Sequence, residues 1–284
     1  LMLAGIAAGQ PVDFVEPARS RDHTERMLRA LSLSLTELPW QLAEEKGLLS
    51  SFGPEAMDEI FAPGVYYHLE PPYHWQTSQL RRGRTPPYSA SAAAFFLGLG
   101  SLLAHDNPVY LRGVGLNPSR AGIIQALRKM GARLEIREDK GEGEPMGDIM
   151  VTSTELHGAR FDASVMANII DEVPILAVMA AFAQGDTEFA DAGELRVKES
   201  DRIHAICRNL EACGVSVSEK EEGFVVHGGA RQVRGGQVQS FQDHRIVMAF
   251  AVLGLASQEG VSIDEPHWIS TSFPDFFAQV EALA

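Results

Sequence analysis

The run Arg196-Val197-Lys198-Glu199-Ser200-Asp201-Arg202 sets three cations and two carboxylates within one short stretch. Ile203, Ile206, Leu210 and Cys213 follow at the spacing of a single buried helical face, so the charges stand at the amino end of a helix. Carboxylates suit that end, where unpaired N–H groups and the helix dipole make the field positive. An arginine in the first turn opposes the same field and calls for an anion. Taken alone, the run equally fits a solvated first turn in which Glu199 and Asp201 neutralise their basic neighbours.

The same residue type recurs at other helix starts. Arg21, Arg120 and Arg202 each stand at the amino end of an amphipathic segment, and Arg245 stands at the start of an apolar one. Several such ends, each adding a cation to a helix dipole, form an anion site if they converge, and spacing alone leaves convergence open. Around these local clusters the chain is acidic, with a net charge of −14 over 284 residues. That balance excludes a general nucleic-acid surface, which needs a basic excess. No apolar run is long enough to span a bilayer, and no membrane association is expected. Cys207 and Cys213 are the only cysteines, with no second pair to complete a metal or disulfide framework, so they read as reduced core residues. No metal or cofactor is expected.

The elements that position these charges repeat. Residues 91–105, 172–184 and 243–257 are rich in Ala, Gly and Met and apolar around much of the helical wheel, the mark of helices buried on more than one side. Each is followed by a short β-branched run, at Val109-Tyr110-Leu111, Thr187-Glu188-Phe189 and Val261-Ser262-Ile263. A second, amphipathic helix comes next, over 119–130, 201–213 and 273–284. In the first two cases further strands follow, around 132–136 and 148–151, then 215–217 and 223–227. The opening segment repeats the design with an apolar helix over 1–8, a strand over 12–15 and a helix from Ser20 onward. Repeated βαβαββ units are the economical description. Residues 36–84 break the pattern with Pro39, Pro54, Pro63, Pro71 and Pro72 and clustered aromatics, and read as an irregular insertion and interdomain connection. The opening residues read as the second half of an apolar helix with no N-cap, so the expectation is a chain whose amino-terminal part is missing.

The assembled motifs resemble the 5-enolpyruvylshikimate-3-phosphate synthase (3-phosphoshikimate 1-carboxyvinyltransferase) family. The stretches that carry the resemblance are Ser20-Arg21-Asp22-His23-Thr24-Glu25, Val114-Gly115-Leu116-Asn117-Pro118-Ser119-Arg120, Asp171-Glu172-Val173-Pro174, the run from Arg196 to Arg202, Asp243-His244-Arg245 and Ser272-Phe273-Pro274-Asp275. The resemblance implies a two-domain inside-out α/β barrel of βαβαββ units, helices within and sheets outside, with the first domain incomplete. Residues 1–85 would be the carboxy-terminal part of that first domain and 86–284 the second, of three units. It also implies transfer of the enolpyruvyl group of phosphoenolpyruvate to the 5-hydroxyl of shikimate 3-phosphate with release of phosphate, in a cytoplasmic enzyme that is monomeric when full length.

By the same resemblance, Asp171 takes the proton of the attacking hydroxyl, where its bland alternative is a helix N-cap. Glu199 protonates the methylene carbon of phosphoenolpyruvate. Lys198 contacts shikimate 3-phosphate and helps set the charge of the neighbouring acids. Arg202 and Arg245 hold the phosphoenolpyruvate carboxylate, a task suited to the planar fork of guanidinium. Ser20 and Arg21 contact the 3-phosphate, and His244 shapes the site from behind. Arg196 and Arg120 are expected to be structural. Thr271 stands where the family often carries a lysine, and Tyr88-Ser89-Ala90-Ser91-Ala92 departs from the usual entry to the second domain. The alternatives are a non-catalytic or inactive fragment that keeps the fold, and the sister transferase that acts on UDP-N-acetylglucosamine. The Arg196–Arg202 and Asp243–Arg245 stretches favour the shikimate branch, and the chain by itself is expected to turn over poorly.

Overall fold

The structure is a computed structural model, and it describes residues 1–16, 22–31, 33–50, 52, 64–71, 73, 88–139, 144–229 and 233–283. The chain divides into two compact units, one of residues 1–86 with 140–145 and one of residues 87–139 with 146–284.

In the first unit, α1 (Met2–Ala8) ends at Gly9, which takes the left-handed conformation that closes a helix without steric cost in glycine. Strand β1 (Val12–Glu16), α2 (His23–Ala30), β2 (Leu35–Pro39), α3 (Trp40–Glu45) and β3 (Val65–Leu69) follow. β3 lies between β1 and β2 and is antiparallel to both, with Tyr67 opposite Phe14 and Glu37. This corrects the reading of 36–84 as irregular, because most of β2, all of α3 and the central strand of a sheet fall within it. The prolines and glycines that bracket Val65–Leu69 look like loop punctuation. The strand itself is buried on both faces and so lacks the polar alternation that would have marked it. Met2, Leu28, Leu31, Val65, Tyr67 and Leu69 form its core.

The second unit has the expected repeat. Its elements are α4 (Ala90–Leu103), β4 (Val109–Gly115), α5 (Gly122–Lys129), β5 (Arg133–Asp139), β6 (Met146–Thr152), β7 (Arg160–Phe161), α6 (Ala163–Ile169), α7 (Val173–Phe182), β8 (Asp186–Phe189), α8 (Arg202–Ala212), β9 (Ser216–Lys220), β10 (Gly223–His227), β11 (Gly236–Val238), α9 (His244–Ala256), β12 (Val261–Ile263) and α10 (Phe276–Glu281). Short 3-10 turns cover Gly193–Val197 and Pro266–Thr271. The sheets run β4-β6-β5, β7-β8-β10-β9 and β11-β12. Each repeat opens with a strand parallel to the one after its buried helix: Tyr88 bridges Val114, β7 pairs with β8, and β11 pairs with β12. A parallel pair needs a crossover, and α4, α7 and α9 supply it. The openings at Tyr88 and β7, one bridge and two residues long, are too brief for sequence periodicity to reveal. Helix α6, capped by Asp162 accepting from the Ser164 N–H at 3.1 Å, also escaped the reading, since its apolar face of Val165, Met166 and Ile169 spans under two turns, too short for periodicity to establish.

Helices α4, α7 and α9 pack on one another at the centre. The side chains of α7 from Val173 to Ala181 are all buried, as expected of a helix apolar all round. Gly98 lets α4 approach α7 closely: a Cβ there would meet Ile175 Cγ1 at 2.8 Å and Cδ1 at 2.9 Å. The carboxy-terminal ends of the three helices, at Leu103, Phe182 and Ala256, border a cavity of about 870 Å³ that also touches Glu155 and Gln184. Arg120, Arg196, Arg202 and Arg245 do not line it. The polar chemistry lies at the other ends of these helices.

Candidate active site

Asp171 precedes α7, whose first turn carries Pro174, a residue tolerated there because its missing N–H would have had no partner. Glu172, not Asp171, occupies the N-cap and makes no side-chain cap hydrogen bond. The Asp171 carboxylate instead faces three guanidinium groups: Arg120 Nη1 at 3.4 Å, Arg202 Nη1 at 3.7 Å and Arg245 Nη2 at 3.8 Å. Arg245 Nη1 also donates to the Asp171 backbone carbonyl at 2.9 Å. Burial acts to raise the Asp171 carboxyl, but the cations of Arg245, Arg120 and Arg202 together outweigh it and hold it below the ordinary carboxylate value.

Arg202 begins α8, behind an N-cap at Asp201 whose carboxylate accepts from the His204 N–H at 3.0 Å. Its side chain is 1% exposed and threads between carboxylates. Nε donates to Asp243 Oδ2 at 2.7 Å, and Nη2 donates to Glu199 Oε2 at 2.5 Å and to Asp243 Oδ1 at 3.4 Å. Nη1 alone is buried without a hydrogen-bond partner. A guanidinium with one unsatisfied N–H edge, next to a carboxylate too distant to satisfy it, is poised to donate to an anion's oxygen.

Asp243 is fully buried and caps α9 by accepting from the Arg245 N–H at 2.9 Å. Phe241 and Gln242 lead into it with φ of 50° and 57°, a left-handed turn made by two residues with side chains. Such backbone persists where surrounding contacts over-determine it. Here the Ser240 N–H is held by Asp264 Oδ1 at 2.7 Å, and the Asp243 N–H donates to the Ser240 carbonyl at 3.0 Å. Ser200 Oγ donates to Asp243 Oδ2 at 3.1 Å, tying the start of α8 to the start of α9.

The structure therefore brings Asp171, Glu199, Arg202 and Arg245 together at the converging amino ends of α7, α8 and α9. Lys198 is not among their contacts; its ammonium pairs with Glu194, four residues back. His244 is half-buried at the first position of α9, where burial chiefly holds its proton affinity below the ordinary histidine value. Ser20 and Arg21 lie outside the described residues. Arg196 is bound to its own scaffold, to the Glu221 and Lys220 carbonyls at 2.8 and 2.6 Å and to Asp201 at 2.9 Å. Thr271 Oγ1 donates to the Trp268 carbonyl at 2.8 Å, within its own turn.

Sequence reading missed four members of the cluster. Arg120, taken as structural, shares the Asp171 carboxylate and donates through Nη2 to Ser91 Oγ at 2.7 Å. Ser91 and Glu172 are buried beside it, and Asp243, which the sequence offered only as part of a motif, is fully buried. A serine and a glutamate inside the two most apolar helical segments were the available signal.

Three buried helices whose amino ends converge on a cationic cluster, each wrapped by a parallel-pair sheet unit, define the α/β class of the enolpyruvyl transferases. The enolpyruvyl transferase NikO from Streptomyces tendae superposes with a TM-score of 0.61 at 19% identity, covering 96% of this chain and 55% of that one, which bears on the fold alone. A family model for EPSP synthase (3-phosphoshikimate 1-carboxyvinyltransferase) matches residues 87–280, and the chain belongs to that family. It is 36% identical over 285 residues to the 3-phosphoshikimate 1-carboxyvinyltransferase of Desulfitobacterium hafniense, covering 100% of this chain and 58% of the relative. The EPSP synthase structure from Acinetobacter baumannii superposes with a TM-score of 0.81 at 31% identity, covering 99% of this chain and 58% of that one. The chain thus spans little more than half the length of the relatives it matches.

Proposed function

We propose that this chain carries part of the machinery that transfers the enolpyruvyl group of phosphoenolpyruvate to the 5-hydroxyl of shikimate 3-phosphate, releasing phosphate on the route to aromatic amino acids. The observation that carries the reading is the buried Arg202, held by Asp243 and Glu199 and left with Nη1 unsatisfied beside Asp171 and Arg245. Two guanidinium groups flanking one carboxylate suit a pair of substrates, one bringing a carboxylate and the other a hydroxyl to be deprotonated.

In this reading Arg202 and Arg245 take the phosphoenolpyruvate carboxylate. Glu199, half-exposed and bonded to Arg202, delivers a proton to the methylene carbon, which leaves C2 electrophilic. Asp171 accepts the proton of the 5-hydroxyl as its oxygen bonds to C2, and the C2–O bond to phosphate then breaks as the new methyl group returns a proton to the Glu199 carboxylate, which forms the enol ether. Lys198 meets shikimate 3-phosphate by exchanging Glu194 for it, Ser20 and Arg21 contact the 3-phosphate, and His244 packs behind the carboxylate site. Residues 1–85 belong to a first domain and 86–284 form a second. The full-length protein works as a cytoplasmic monomer. Among the described residues no single helix is long and apolar enough to cross a membrane.

The test is phosphate release from phosphoenolpyruvate with shikimate 3-phosphate, in a full-length protein carrying these residues. Asp171→Ala and Glu199→Ala are each expected to lower the rate by about 10²- to 10⁴-fold. An unchanged rate in Asp171→Ala rejects it as the base.

A further inference from the structure

Glu172 is 2% exposed and stands at the N-cap of α7 without capping it. One of its oxygens, Oε1, is buried with no hydrogen-bond partner. The Ser91 hydroxyl of α4 faces the carboxyl, and Ser91 Oγ accepts from Arg120 Nη2 at 2.7 Å. The other guanidinium nitrogen of Arg120, Nη1, reaches Asp171 at 3.4 Å. Two consecutive carboxyls are thus linked through one arginine and one serine, yet of the two only Asp171 has guanidinium nitrogens within ion-pair distance.

The groups facing Glu172 are Ser91 from α4, Arg120 ahead of α5, Arg245 from α9 and Asp171 beside it. Burial raises its proton affinity, and although Ser91, Arg245 and Arg120 oppose this, the carboxyl stays above the ordinary glutamate value. Asp171 moves the opposite way. A carboxylate oxygen buried away from water without a hydrogen-bond partner is costly, and a proton removes most of that cost. Adjacent acids whose surroundings push them apart divide the labour of acid and base between them.

We propose that Asp171 and Glu172 work as a split carboxyl pair in which Glu172 carries the proton and Asp171 the charge, leaving Arg120, Arg202 and Arg245 directed at Asp171 and at an incoming anion. Glu172 is then a positioning residue. Its neutrality keeps Asp171 ionised before substrate arrives and prevents a second carboxylate from drawing Arg120 and Arg245 away. The inference deepens the enolpyruvyl-transfer reading and rests on it for the identity of the anion.

Carbon-13 NMR of the carboxyl groups in the ligand-free chain tests the pair directly. Glu172 is expected to titrate above the ordinary glutamate range. Asp171 is expected to titrate below the ordinary aspartate range and to show a second, smaller inflection where Glu172 ionises, because interacting acids titrate as a pair. That second inflection disappears in Glu172→Gln. Ser91→Ala, which removes a hydroxyl that favours the charged form, moves the Glu172 inflection upward. Glu172 titrating at or below the ordinary value, or a second Asp171 inflection that survives in Glu172→Gln, overturns the proposal.

A second arm follows phosphoenolpyruvate binding through the side-chain N–H signals of Arg202 and Arg245. Affinity in the wild type is expected to fall by about fivefold as Glu172 ionises, the effect of one added like charge nearby. His244 and the ligand phosphate titrate in both proteins, so the excess pH dependence over Glu172→Gln reports Glu172; equal dependence in the two counts against the proposal. If phosphoenolpyruvate moves neither arginine signal at any pH, the enolpyruvyl reading fails, while the carboxyl titrations still decide the pair.

Discussion

Arg202 Nε donates to Asp243 Oδ2 at 2.7 Å, and neither side chain is open to water. Arg202 begins α8 and Asp243 caps α9, so a single ion pair locks the amino ends of two helices together and holds the guanidinium for the site. Ion pairs of this kind add little net stability over an apolar replacement, but breaking one by removing a partner is expensive.

Asp243→Ala should therefore destabilise the chain by about 3–5 kcal/mol, since it strands a buried guanidinium and removes the α9 cap. The double substitution Arg202→Met with Asp243→Leu should recover most of that loss and still fail to bind phosphoenolpyruvate. Urea unfolding with ligand titration of the same two proteins separates the outcomes. A double variant as unstable as Asp243→Ala would show that the pair itself supplies the stability.

The adjacent acids lead to opposite pH effects on stability. The folded-state proton affinity of Asp171 is lowered, so its contribution is present above the ordinary aspartate value and is lost as pH falls through the folded value. Glu172 is raised, so its contribution is complete below the ordinary glutamate value and is lost as pH rises through the folded one. Glu172→Gln should thus gain stability relative to wild type at pH 8, by about 1 kcal/mol, and lose the advantage at pH 4. Thermal unfolding across that range checks the sign.

Gly98 sits where a Cβ would overlap Ile175. Gly98→Ala should cost about 1–3 kcal/mol by forcing α4 and α7 apart. Trimming the obstruction with Ile175→Val should recover part of the loss, and a double-mutant cycle of unfolding free energies measures the coupling. Additive losses would mean that the helices do not meet at this point.

Burial pushes the Cys207 thiol up to about 12 and the Cys213 thiol up to about 11. Both are enclosed in the core, and the thiolate is the reactive form. Iodoacetamide at pH 8 should leave both unmodified in the native chain and alkylate both after unfolding in urea, as read by intact mass. Fast native labelling would contradict the packing of α8.

Much of this protein was legible along the chain. The apolar helices α4, α7 and α9 announced themselves through composition, because a helix buried on all sides has no polar face to write. The repeat and the arginines at helix starts followed from periodicity, and the family from motifs in order. Strand β3 stayed hidden for a related reason: a strand buried on both faces shows no alternation, and the prolines around it imitate a loop.

What the sequence could not decide was which charges share a site. Arg120 and Asp171 are 51 residues apart, and Arg202 and Asp243 are 41 apart. Nothing in their types distinguishes a surface cation from one with a buried unsatisfied edge. That distinction comes from the packing of three apolar helices, which draws their amino ends together and excludes water. Once water is excluded, each charge is left to its neighbours, and consecutive carboxyls such as Asp171 and Glu172 are driven to opposite protonation. The residue types were set by the sequence, and their electrostatic roles by the dielectric that the tertiary structure built around them.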